Sequence, residues 1–148
     1  MDGLPQLNFQ QWAAVLHLST MWIFDRIRSL AITHLTPLIT TLPPLDRIDL
    51  ARKCQVHAWL APAYTELCTR DALLTWEDAE RLGLKRFFAL SQIRERRRKA
   101  FVGLGVDGGG SYCASCGQFN AVDYAQRRER AFDVDAAVKG FLELDAGV

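Results

Sequence analysis

Apolar residues recur at steps of three and four along residues 15–98, interrupted by Pro and Gly, and this spacing predicts a series of short amphipathic helices. Asn8 suits a helix start, because its side chain can accept from a first-turn amide. Phe9, Trp12, Ala13, Val15 and Leu16 then supply one apolar face. Met21-Trp22-Ile23-Phe24 reads as a bulky apolar link to a second helix that starts at Asp25. That helix carries Ile27, Leu30, Ala31, His34 and Leu35, and Pro37 is expected to end it, since proline donates no amide and restricts the residue before it.

Pro43-Pro44 opens a third helix with Leu45, Ile48, Leu50, Ala51 and Cys54 in period. A fourth is predicted over about residues 58–68 from Trp59, Leu60, Ala63, Tyr64 and Leu67, with Pro62 tolerated in its first turns. Thr75 and Asp78 resemble a capping box. Gly83 divides the stretch after it into a short helix and a longer one, which bears Leu84, Phe87, Phe88, Leu90 and Ile93 and runs into Arg94-Glu95-Arg96-Arg97-Arg98-Lys99. Alternation of apolar and polar residues never persists, so no strand is predicted. The fold class is therefore all-α: short antiparallel helix pairs packed as a bundle or short solenoid over residues 8–102, followed by a flexible tail. The tail begins with a Gly-rich linker at residues 103–111. Residues 112–148 then hold a C-x-x-C pair and two weaker helical patterns, at residues 122–132 and 134–144.

Composition narrows the partners. A hydrophobic content of 49% in 148 residues describes one globular domain with a tail. Eighteen basic residues against 17 acidic ones leave a net charge of +1, which disfavours a nucleic-acid or membrane binder driven by electrostatics. No apolar run reaches the roughly 20 residues that span a bilayer. Met1-Asp2-Gly3-Leu4-Pro5 carries no basic stretch, so no signal peptide is expected and the four cysteines read as reduced intracellular thiols.

Candidate chemistry is sparse. Cys113 and Cys116 have the spacing of half a zinc site, which needs two further ligands. Cys54 and Cys68 could supply them only if the tail folds back; two unpartnered thiols is the blander reading. The basic run from Arg94 to Lys99, with Arg127, Arg128 and Arg130, could meet phosphate, but Glu95 and Glu129 interrupt it and a solvated helix end is the favoured reading. A zinc-dependent nucleic-acid-associated factor is the alternative function that these features allow. No Ser, Cys or Thr stands in a nucleophile motif, and the glycines at 105 and 108–110 lack the strand and Lys of a phosphate-cradling loop, so no catalytic residue is assigned. Trp12, Trp22, Trp59 and Trp76 are expected in the core. Trp12, Trp22 and Trp59 are also the candidate anchors for a protein partner, since exposed aromatics are common hot spots.

A family resemblance adds to this reading. Val15-Leu16-His17-Leu18-Ser19-Thr20-Met21-Trp22-Ile23-Phe24, then Ile27-Arg28-Ser29-Leu30-Ala31-Ile32, resembles the segment that follows the BTB/POZ domain in fungal BTB proteins. Asp46-Arg47-Ile48-Asp49-Leu50-Ala51-Arg52-Lys53-Cys54-Gln55-Val56, Trp59-Leu60-Ala61-Pro62-Ala63-Tyr64 and Leu74-Thr75-Trp76-Glu77-Asp78-Ala79-Glu80-Arg81-Leu82-Gly83-Leu84 continue it in the same order. The resemblance implies a BACK-like helical extension that serves as a non-enzymatic protein-protein interaction module or adaptor fragment, with a protein partner and no cofactor. In that family the POZ fold dimerises, and in some members it recruits cullin-based ubiquitin ligases. Few residues precede Trp12, so the chain is expected to match only the part after the POZ fold. Phe9, Trp12 and Leu16 would then stand partly exposed and favour self-association.

Overall fold

The computed structural model describes residues 7–103 and 132–146. Seven α-helices and one 3-10 turn form them, with no strand among the described residues. These are α1 (Phe9–Met21), α2 (Asp25–Ile39), α3 (Pro44–Lys53), the turn His57–Trp59, α4 (Leu60–Thr69), α5 (Trp76–Leu82), α6 (Leu84–Gly103) and α7 (Val134–Ala146). The protein is thus all-α, built of packed helix pairs. The chain divides into two compact units, one up to Ala63 and one from Tyr64 onward.

In the first unit, α1 begins where Asn8 predicts. The Asn8 side chain accepts from the Gln11 amide, and the Gln11 side chain accepts from the Asn8 amide, closing a full capping box. A three-residue link turns the chain into α2, so α1 and α2 pack as a helical hairpin. Leu16, Ala31 and Leu35 are fully buried in this unit, as are Ile48, Ala51 and Cys54 of its third helix and the residue that caps it. Arg28 donates to the carbonyls of Cys54 and Gln55 at 3.2 and 3.0 Å, tying the hairpin to the end of α3.

Two boundaries differ from the prediction. Pro37 does not end α2, which continues to Ile39. A proline this near the end removes a single helical hydrogen bond, and its ring faces solvent. The fourth predicted helix is split: the tight turn His57–Trp59 leads into α4, with Pro62 at its third position.

In the second unit, Thr75 and Asp78 form the predicted capping box of α5, and Gly83 takes φ +79° between α5 and α6. Tyr64, Leu67, Cys68, Leu82, Leu90 and Val138 are the most deeply buried side chains here. The last helical pattern of the predicted tail is a packed helix, not a loose end. In α7, Val134, Ala137, Val138, Phe141 and Leu142 share the protected face, while Asp135, Ala136, Lys139, Gly140 and Glu143 are exposed. Phe141 meets the Tyr64 ring edge to face at 5.5 Å, Asp135 accepts from Thr65 at 2.8 Å, and Asp145 pairs with Arg86 at 2.8 Å. The linker at 104–111 and the helical pattern at 122–131 lie outside the described residues.

Candidate protein interface

The end of α1 is closed in an unusual way. The Phe24 amide reaches back to the Ser19 carbonyl at 2.9 Å, and the Trp22 amide to Leu18 at 3.0 Å. Such a closure needs a left-handed residue in between, and Ile23 fills that position with φ +58°. Glycine is the usual occupant; in a β-branched residue the conformation crowds the side chain against the backbone. Gln55 closes α3 in the same manner, with φ +56° and the Val56 amide bonded to the Ala51 carbonyl at 2.8 Å.

The left-handed turn throws the apolar link outward. Trp22 is 61% exposed and Ile23 78%, and Met21 and Phe24 are exposed beside them. Trp22 and Phe24 touch edge to face, their centroids 6.0 Å apart. Leu18 extends the surface back along α1, one turn before Met21 and Trp22, and Ile27 and Leu30 extend it along α2; all three are exposed. The seven side chains leave on the order of 700 Å2 of apolar surface open, taking roughly 200 Å2 for each large side chain. Single exposed hydrophobes are ordinary; here Met21, Trp22, Ile23 and Phe24 are exposed in one unbroken run, and two of them are in mutual contact.

The tryptophans separate into two kinds. Trp12 is 6% exposed and stacks on His34 at 4.4 Å with an interplanar angle of 12°. Trp59 is likewise 6% exposed, and its indole donates to the Thr36 hydroxyl at 3.3 Å. Both belong to the core of the first unit, which removes them as partner anchors and leaves Trp22. The expected exposure of Trp12 and Leu16 is also corrected: α2 itself covers that face of α1. Trp76, expected in the core, stands on the surface at the start of α5, where its indole donates to Glu80 one turn later at 2.7 Å.

The basic run is likewise split by role. Arg94 is buried and donates to the carbonyls of Leu67 and Ala72. Arg97 donates to the Thr69 carbonyl at 3.0 Å and the Cys68 carbonyl at 3.4 Å. These carbonyls stand at and just beyond the C-terminus of α4, where helix geometry leaves acceptors without partners. Arg94 and Arg97 therefore cap a helix, and the reading of the whole run as a solvated end holds only for the residues around them.

Cys113 and Cys116 lie outside the described residues. Cys54 and Cys68, their conceivable co-ligands, are both fully buried. Burial raises the Cys54 thiol pKa against the opposing charges of Lys53 and Arg28, and pushes that of Cys68 up to about 11 against Arg94 and Arg97. Both sulfurs are enclosed within the described fold, and where they stand relative to Cys113 and Cys116 lies outside the described residues. Among the described residues no cluster of His, Cys, Asp or Glu could hold a metal, and no helix is long and apolar enough to cross a membrane. No family model, curated protein or solved structure matches the chain.

Proposed function

We propose that the chain is a non-enzymatic protein-protein interaction module of the kind that follows the POZ domain in fungal BTB proteins, and that it engages its partner through the turn between α1 and α2. The observation that carries this reading is the exposed surface formed by Leu18, Met21, Trp22, Ile23, Phe24, Ile27 and Leu30. It lies within the first segment that resembles the fungal proteins, residues 15–32, and in such proteins the first helices stand near the POZ domain. Trp22 and Phe24 are the anchors: large, rigid, in mutual contact, and desolvated together when covered. The strain at Ile23 is of the sort that accumulates at functional positions.

Capture from native extract with wild-type chain and with the Trp22→Ser, Phe24→Ser double variant tests this reading. Both side chains are exposed, so the variant is expected to fold. The expected result is a specific protein retained by the wild type and depleted about tenfold or more by the variant. Identical retention by both proteins would remove the assignment of this surface.

A further inference from the structure

The second unit contains a groove that is independent of the α1–α2 turn. It runs between the segment holding Leu73 and Leu74 and the face of α6 that presents Phe87, Ser91, Arg94 or Glu95, and Arg98 at successive turns. Its volume is about 600 Å3, within the range of small-molecule sites. The two ends of the groove differ in chemistry. Along α6 the lining is apolar at Phe87 and cationic at Arg98 and Lys99, three turns on, with Leu73 and Leu74 on the facing segment.

The charges at the cationic end are not equally engaged. Arg94 holds the carbonyls of Leu67 and Ala72, so its guanidinium is committed and its stem lines the groove. Lys99 lies 3.0 Å from Glu95 in an exposed pair. Arg98 makes no hydrogen bond or ion pair with another described residue. An anion at this end would meet the Arg98 fork directly and would compete with Glu95 for Lys99. We propose that the groove is a binding site for an anionic amphiphile: a single carboxylate seated at Arg98 and Lys99, with an unbranched apolar body lying on Leu73, Leu74 and Phe87. Glu95 then acts as a built-in competitor that lowers the affinity of the site.

Titration of the isotope-labelled full chain with decanoate, followed by amide shifts, tests this. Saturable shifts are expected at Leu74, Ser91 and Arg98, with half-saturation near about 1 mM or below. Octanoate should bind about tenfold more weakly, since each buried methylene contributes roughly three- to fourfold. Decanol, of similar length but uncharged, should bind several-fold more weakly than decanoate. Arg98→Glu should weaken decanoate about tenfold, and Glu95→Gln should tighten it about threefold, the scale of an exposed charge pair. Shifts confined to the Trp22 to Phe24 turn, equal binding of decanol and decanoate, or an Arg98→Glu variant with wild-type affinity would each overturn the proposal. Equal binding of decanol, or an Arg98→Glu variant with wild-type affinity, would leave the protein-partner surface of the first unit untouched.

Discussion

Ile23 occupies a backbone region that glycine enters freely and that costs an L-residue about 1–2 kcal/mol. Its side chain is 78% exposed, so replacing it forfeits little burial. Ile23→Gly is therefore expected to raise stability by about 0.5–1 kcal/mol, after the larger conformational entropy that glycine loses on folding is deducted. Thermal unfolding would show a midpoint a few degrees higher. Nothing in the sequence announces this strain, since an Ile in an apolar link carries no signal of a left-handed backbone, and only the helix closure reveals it. Cys68 makes a second residue-scale prediction. Its thiol ionises near pH 11 in the folded chain, above the ordinary value of 9.0, because burial penalises the thiolate. Between those values the unfolded chain releases a proton that the folded chain keeps. Stability is accordingly intact below about pH 9 and falls as the pH climbs toward 11, with Cys54 shifted in the same sense. Denaturation series from about pH 8 to about pH 11 should show a loss of about 2 kcal/mol, and Cys68→Ala should flatten the slope.

At the scale of elements, the helices were legible because their starts carry local signals. Asn8 with Gln11 and Thr75 with Asp78 cap as their side-chain chemistry requires, and Gly83 breaks the chain where only glycine avoids a steric conflict. Pro37 misleads as a stop because a proline in the final turn forgoes so little. The tertiary caps were not legible. An arginine run with no visible partner reads as surface, yet Arg94 reaches across 27 residues to the end of α4. Removing that group leaves two acceptors near the helix end with nothing to bind. Arg94→Met, which keeps much of the stem, is expected to lower stability by about 3 kcal/mol. Arg97→Ala, on a more open side chain, should cost no more than about 1 kcal/mol. Urea denaturation of the two variants would separate them; equal small losses would show that Arg94 is not a cap.

At the scale of the molecule, hydrophobic spacing identified an all-α chain but not the function of its apolar residues. Periodicity says which side chains share a face, not whether a neighbour covers it. Trp12 and Trp22 both carry the signature of core or anchor, and the structure separates them through the stacking of His34 on Trp12 alone. The candidate zinc pair and the Gly-rich linker lie outside the described residues, so nothing about the fold bears on them. What remains is a nearly neutral chain that carries, among its described residues, a run of exposed apolar side chains at the turn between α1 and α2, and the functional account rests on that run. The most direct test is the amount of partner captured by Ile23→Gly, measured on protein shown to be at least as stable as wild type. The account predicts that capture falls severalfold although the fold is firmer, because the turn keeps its left-handed backbone but loses its most exposed apolar side chain. Undiminished capture by this more stable variant would contradict it.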